Sequence, residues 1–362
     1  MITPRTMALV PLCIVALAPL VSAAQADEGA ARVLVYSGTQ GDRPDGADRG
    51  NDALSQLAEE TGEFTIDVTD DAAAMTIETL ANYDVVLWNN PSGSGAAAPF
   101  SSEQRDQIVA WTQCGGGFVG IGQALAAWSD WDSWDELVGV VAESSSASKA
   151  KVTVLADSPI TAPFGPKGAS FSLAERFYAA ATGQGPQDLS SDVTQLLATS
   201  AQSAAAWTST FRGNNRSFVT SLGHNAPTWD LPAFRTHVVE GIAHAAAVRP
   251  DEDCVAAIGG STATLPVGAA MVVFSPVASS STNPIRYAPD TIVLSAGSSI
   301  EFVNLDTVTH TITDATGARR FDTGFVNLGA TATVAGLESL APGTYDFICQ
   351  LHPVMTGTIT IV

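Results

Sequence analysis

Basic side chains are scarce in this sequence. Sixteen Lys and Arg stand against 37 Asp and Glu in 362 residues, a formal charge of −21. Nucleic-acid binding needs cations to neutralise phosphates, so this balance excludes that class of partner. The acidity is spread along the chain, which favours solubility and a basic partner over an acidic one. Long apolar runs are lacking too: beyond residue 26, no stretch is long and apolar enough to cross a membrane. No tandem repeat appears, and no flavin or nicotinamide fingerprint. Gly115-Gly116-Gly117 precedes a strand-like run instead of opening a helix, so it is not a phosphate cradle. Histidine (5) and cysteine (4) are few enough that each one is informative.

The first 26 residues carry Arg5, an apolar run over 7–21, and Ala24-Gln25-Ala26. This pattern predicts a secretory signal peptide cut after Ala26. The run is too short for a comfortable span. Cys13 lies inside it, and Pro11-Leu12 lacks the small residues of a lipoprotein box. The expectation is a secreted or periplasmic protein.

The C-terminus holds Cys349-Gln350-Leu351-His352-Pro353-Val354-Met355, with His310 upstream. One thiolate, two imidazoles and a thioether form the donor set of a blue-copper site. Soft sulfur ligands suit Cu(I) and imidazole suits both oxidation states, so an electron can move with little ligand rearrangement. Thr344-Tyr345-Asp346-Phe347-Ile348 reads as a strand leading into Cys349, and 356–362 as the next strand. His310 follows a strand over 299–304. Two segments distant in sequence must then meet at one end of a β-sandwich.

These residues resemble the cupredoxin family, and the short Cys-x2-His-x2-Met loop looks most like amicyanin. The run from Asn304 through His310 to Thr313 is also similar to that family, as are the turns Phe321-Asp322-Thr323-Gly324 and Pro342-Gly343-Thr344-Tyr345. The resemblance covers about 263–362. It implies one type 1 copper held by His310, Cys349 and His352 with Met355 axial. It also implies electron exchange through the exposed edge of His352. Leu351, Pro353 and Val354 would surround that edge with apolar surface for brief docking of a redox partner protein.

Setting aside Cys13 and the copper-assigned Cys349, Cys114 and Cys254 remain. In an oxidising compartment a disulfide between them is the economical reading. Two buried free cysteines acting as small hydrophobes are the alternative.

Upstream of residue 250 the pattern changes. Arg32-Val33-Leu34-Val35-Tyr36, Asp84-Val85-Val86-Leu87-Trp88, Gly117-Phe118-Val119-Gly120-Ile121 and Ser217-Phe218-Val219-Thr220-Ser221 are short apolar runs of the kind that form buried parallel strands. Helical patterns at about 49–61, 101–113 and 231–247 separate them. The alternation predicts a doubly wound, mostly parallel α/β sheet. Ligands of such sheets bind beyond the carboxyl ends of the strands. Here those ends are Ser37-Gly38-Thr39-Gln40, Asn89-Asn90, Gly122-Gln123 and Gly223-His224. Residues 249–262 read as a linker.

The same stretches resemble the ThuA-like (trehalose-utilisation) family, which shares the class I glutamine-amidotransferase-like fold. The matching residues include Val35-Tyr36-Ser37-Gly38-Thr39, Tyr83-Asp84-Val85-Val86, 115–121, Trp134-Asp135-Glu136-Leu137-Val138-Gly139, Leu222-Gly223-His224 and Trp229-Asp230-Leu231-Pro232-Ala233-Phe234. The resemblance implies a link to carbohydrate. Two positions depart from it. Gly122 stands where the family has histidine and where amidotransferases place a nucleophile, and Asp42-Arg43-Pro44 replaces a histidine-bearing motif. Cys114 precedes the strand and cannot serve as the nucleophile.

Catalytic residues are therefore unassigned, with His224 and Glu175 as candidates. His224 is either a base or ligand at a strand end, or a hydrogen-bonded residue closing the sheet. Glu175 is either a general acid/base with His224 or a partner of Arg176 or another cation. His237 and His244 lie seven residues apart on one helical face and read as packing or surface residues, with no third donor in view. Trp128, Trp131 and Trp134 suit sugar stacking, but read better as the core stripe of an amphipathic helix. Asp42, Asp45 and Asp48 read as a solvated loop, because their spacing matches no calcium loop.

Together these readings give a signal peptide (1–26), an α/β domain (30–248), a linker (249–262) and a Greek-key cupredoxin sandwich (263–362). The expected function is copper-mediated electron transfer, tied to a domain that binds or processes carbohydrate. The alternatives are a non-catalytic binding or targeting module, and a carbohydrate-active enzyme with the cupredoxin as an appendage.

Overall fold

The computed structural model describes residues 29–259, 263–265, 287 and 290–362, without 92–96, 129, 182, 184, 187–192, 201–202, 212–214, 305–307, 329 and 354. The segment read as a signal peptide lies outside the described residues, as does Val354. No helix among the described residues is long and apolar enough to cross a membrane.

Nine strands form the first sheet: β1 (Ala31–Tyr36), β2 (Phe64–Thr69), β3 (Val85–Asn89), β4 (Gly117–Ile121), β5 (Ala142–Val154), β6 (Ser170–Ala180), β7 (Thr194–Ser200), β8 (Ser203–Ser209) and β9 (Ser217–Thr220). Their order is β2-β1-β3-β4-β9-β8-β7-β5-β6. The β2-β1-β3-β4-β9 half is parallel. The other half, from β9 through β8, β7 and β5 to β6, is antiparallel.

The parallel half follows from its residues. Alternate side chains of each strand enter opposite layers: Val33 and Val35 join one apolar cluster, Leu34 and Tyr36 the other. A strand covered on both faces must be apolar at every position, so these runs are continuous and do not alternate. Helices α1 (Asp45–Thr61), α2 (Ile77–Leu80), α3 (Ser102–Gln113), α4 (Asp132–Val138), α5 (Pro232–Ala246) and α6 (Glu252–Gly259) complete the layers. Leu54 and Leu57 of α1 and Val238 and Ile242 of α5 fill one cluster; Ile108 and Trp111 of α3 and Leu137 of α4 fill the other.

Local signals set the helix ends. α1 opens after Pro44 with Asp45 and Asp48 in its first turn, where the helix dipole favours carboxylates, and ends at Gly62 with φ 66°. Two of the three aspartates read as a solvated loop therefore belong to a helix. Ser101 and Gln104 form a reciprocal capping box on α3.

Three readings change. The antiparallel half makes the sheet less parallel than the apolar runs suggested, because β5 to β8 are rich in Ser and Ala and carry little strand signal. The three tryptophans do not share one helix: Trp131 caps α4 and Trp128 precedes it. All three are buried, with Trp128 and Trp134 ring centroids 4.4 Å apart, so they are core residues and not a sugar platform. Within the stretch read as linker, α6 is tied to the end of α3 by a disulfide between Cys114 and Cys254.

The C-terminal strands are β10 (Ala263–Leu265), β11 (Thr291–Leu294), β12 (Glu301–Val303), β13 (Thr313–Asp314), β14 (Thr331–Thr333), β15 (Gly343–Ile348) and β16 (Thr356–Ile361). Five form a sheet in the order β10-β11-β16-β15-β13, and β12 pairs with β14. Their inward residues, among them Ile292, Phe302, Phe347 and Ile359, form a third cluster that includes Cys349 and Met355.

Candidate metal centre and candidate cleft

The turn between β15 and β16 is closed by backbone hydrogen bonds. Cys349 N–H donates to the Met355 carbonyl at 3.0 Å, His352 N–H to the Cys349 carbonyl at 3.2 Å, and Met355 N–H to the His352 carbonyl at 2.8 Å. This tight loop holds Cys349 and Met355 fully buried while His352 stays half-buried. His310 comes from another segment. Its N–H and carbonyl pair with Val326, and the Asn304 amide donates to the Val308 and Val326 carbonyls at 2.7 and 2.8 Å. Gln350 ties the two segments together through its N–H to Thr311 Oγ1 and its side-chain amide to Thr313 Oγ1, both at 3.0 Å.

The result is a cluster of donors. Cys349 Sγ lies 3.6 Å from His310 Nδ1 and 3.5 Å from His352 Nδ1. One ligand atom from each of the three residues falls within 4.8 Å of the others. Burial pushes the Cys349 thiol up, but hydrogen bonds involving His310, Thr311, His352 and Leu351 outweigh it and bring the thiol down to about 6. A thiolate at neutral pH is the form a metal needs. A soft thiolate with two imidazoles fits copper. Met355 sits in the same buried cluster as Cys349.

The sequence motifs named all four sulfur and imidazole residues but not their supports. Asn304 and Gln350 lie within or beside those motifs. Tyr287, whose hydroxyl donates to the Thr311 carbonyl, had no local signal.

A second feature lies beyond the carboxyl ends of β1, β4 and β9. A cleft of about 410 Å³ is lined by residues that include Gln40, Gln123, Ser145, Arg176, Tyr178 and His224. Three of these six lie at strand ends that the sequence reading marked; Ser145, Arg176 and Tyr178 come from β5 and β6, which it did not anticipate. Of the two candidate catalytic residues, His224 lines the cleft, whereas Glu175 is not part of its lining. Glu175 is buried, and its carboxylate accepts from the N–H groups of Arg176, Gly223 and Asn225 at 2.8 to 3.1 Å and from Thr228 Oγ1 at 2.6 Å. It braces the loop that carries His224. His224 Nε2 accepts from Arg176 Nε–H at 3.1 Å, and its Nδ1 lies 3.4 Å from the Tyr178 hydroxyl. Burial, and then the Arg176 charge, bring the imidazole down to about 4, so it is neutral at physiological pH.

The elbow at Gly122 is closed to a nucleophile. Its φ is +58°, and a Cβ there would collide with Asn90 Oδ1. That oxygen accepts the Gln123 N–H at 2.9 Å, while the Asn90 amide donates to the Gly223 carbonyl at 2.9 Å. Asn90 thus ties together the ends of three strands in the volume a reactive side chain would need. His237 is fully buried and bonded to the Ile160 carbonyl and Thr220 Oγ1, a packing role; His244 is partly buried on the same helix.

Comparison with known proteins follows the same division. The family profile described as ThuA, trehalose utilisation, matches residues 32–245, and the cupredoxin-like domain profile matches 277–361. A search of the curated proteins finds no match. Among solved structures, a ThuA-like protein of Bacteroides uniformis is 19% identical, covering 61% of this chain and 93% of its own, with a TM-score of 0.49. A ThuA-like protein of Parabacteroides merdae is 14% identical, covering 62% and 99%, with a TM-score of 0.48. The reduced Cu(I) form of an amicyanin variant is 18% identical, covering 26% and 82%, with a TM-score of 0.21. The ThuA profile spans more than half of the sequence, so this chain belongs to the ThuA family, and a cupredoxin-like domain follows it.

Proposed function

We propose that this protein is an exported copper electron carrier whose ThuA domain binds carbohydrate. The observation that carries the copper reading is the meeting of one ligand atom each from Cys349, His310 and His352 within 4.8 Å. In this reading His310, Cys349 and His352 would hold one type 1 copper, with Met355 as a further donor. Copper, when bound, supplies a one-electron couple. Cys349 presents a thiolate from a dry pocket. Asn304 and Gln350 hold the loops still, so that the donors keep their places in both oxidation states. His352, half-buried, offers the path to a partner. Val308, Phe325, Leu328 and Leu351 are exposed apolar residues of this part of the chain, which suits weak, brief docking of a redox partner protein.

The domain limits proposed are 30–248 and 263–362, joined by 249–262 and preceded by a signal peptide of 26 residues. The Cys114–Cys254 bridge supports an oxidising, extracellular or periplasmic setting. For the ThuA domain we favour binding over catalysis. Asn90 occupies the elbow at Gly122, and the Glu175 carboxylate is engaged by four donors.

The test is the visible spectrum of the copper-loaded protein. An intense thiolate-to-copper band that disappears in Cys349→Ser supports the reading. Copper binding without that band, or a band that survives the substitution, refutes it. Glycan binding without turnover supports the binding role of the first domain, and turnover of a bound glycan overturns it.

A further inference from the structure

The cleft of the ThuA domain is lined by a cation, Arg176, whose side-chain partners are uncharged. Arg32, Arg43, Arg49, Arg105, Arg235 and Arg320 each pair with a carboxylate. Arg176 has no carboxylate partner among the described residues. Its Nε donates to His224 Nε2 and its Nη1 to Ser145 Oγ, both at 3.1 Å. Both partners are uncharged acceptors that orient the guanidinium. The neighbouring carboxylate, Glu175, is taken up by the Gly223–Thr228 loop. In a chain with 37 acidic and 16 basic residues, an oriented but unpaired arginine in a cleft is a positive charge left for a ligand.

The neighbouring groups add neutral hydrogen-bonding partners, and the carboxylate that lines the cleft, Asp42, is exposed at its rim. His224 is neutral, so it neither repels a cation nor attracts an anion on its own. Burial raises the Tyr178 phenol, which keeps its proton and remains a neutral hydrogen-bonding group. Gln123 is 9% exposed and lines the cleft, and its side-chain amide has no hydrogen-bond partner among the described residues. A buried amide left open toward a cleft marks a place for polar ligand atoms. At the rim, Asp42 is exposed and Arg43 is paired with Asp48 at 2.8 Å, so Asp42 is free to accept from hydroxyls.

We propose that this cleft binds a sugar carboxylate, with Arg176 as partner of the carboxylate and Gln123 and Asp42 as partners of the hydroxyls. The proposal rests on the reading of the cleft as a carbohydrate site and narrows it from neutral sugars to sugar acids. A guanidinium fork matches a carboxylate geometrically, while a neutral sugar would leave that cation without a counter-charge in a partly dehydrated site.

The experiment is calorimetric titration of the full-length, copper-loaded protein with glucuronate, glucose and inorganic phosphate. Glucuronate should bind at least about tenfold more tightly than glucose or phosphate. Arg176→Gln should weaken glucuronate about tenfold or more and leave glucose unchanged, with Arg176→Lys between the two. Gln123→Ala should weaken glucuronate without changing its advantage over glucose. Thermal melting confirms that each variant is folded, since Arg176 is only half-buried. Equal binding of glucose and glucuronate, unaffected by Arg176→Gln, overturns the proposal but leaves the carbohydrate reading standing. Phosphate binding as tightly as glucuronate overturns the proposal, and with no binding of glucose it overturns the carbohydrate reading too. Failure of every probe to bind at millimolar concentration overturns the proposal as well.

Discussion

The side-chain oxygen of Asn90 occupies the space that a Cβ on Gly122 would enter. The two residues lie at the ends of adjacent parallel strands, and this contact converts a possible reactive elbow into a structural clasp. Asn90 itself has a φ of 50°, an uncommon region for a residue other than glycine. Its hydrogen bonds to Gln123 N–H and the Gly223 carbonyl hold it there.

Gly122→Ala should therefore destabilise the protein by about 3 kcal/mol, combining a left-handed backbone strain with a displaced buried amide. Urea denaturation measures it. In Gly122→Ala/Asn90→Ala the losses should be less than additive, because the second substitution removes the collision. Full additivity would mean that the two residues do not compete for space.

Asn304 supports the segment that carries His310 in the candidate copper site. Asn304→Ala removes two hydrogen bonds to the carbonyls that flank His310. Metal affinity should fall by about 10- to 100-fold while the colour of the loaded protein persists. Loss of colour would assign Asn304 a direct role.

Glu175→Ala should cost about 2–4 kcal/mol, because it leaves buried N–H groups of Gly223 and Asn225 unsatisfied. The copper spectrum should not change. Glycan binding should weaken only as far as the His224 loop loosens, which a comparison with Glu175→Gln would reveal.

His237 gives the stability a pH dependence with a defined sign. Complete burial lowers its imidazole from 6.5 to about 4 in the folded protein. Its Nδ1–H donates to the Ile160 carbonyl at 2.8 Å, and Nε2 faces Thr220 Oγ1 at 3.3 Å. Below pH 6.5 the unfolded chain binds a proton that the folded chain refuses. The contribution is full above 6.5 and is lost progressively as pH falls toward 4, by on the order of 3 kcal/mol. His237→Gln should flatten denaturation free energy against pH over that window; an unchanged slope would exclude His237 as its source.

The Cys114–Cys254 bridge closes a loop spanning 140 positions. Replacing both cysteines with serine should lower stability by about 2–5 kcal/mol, mainly by freeing the unfolded chain. Copper binding should be retained, since Cys349 is the free cysteine among the described residues.

The sequence by itself determined what is local. A parallel strand buried on both faces has to be apolar at every position, so β1, β3, β4 and β9 and the helices between them were readable. The Cys349–Met355 loop was readable because three donors fall within seven residues between two strand patterns. Tertiary structure alone decided the rest. The Ser- and Ala-rich strands β5 to β8 gain their place by pairing at long range, and this brings Arg176, Tyr178 and Ser145 to strand ends contributed by distant segments. The Asn90 clasp, the Glu175 brace and the His310–Cys349 contact likewise join residues tens of positions apart or more. Hydrophobic periodicity records which face of an element is buried, but not which distant side chain will lie against it.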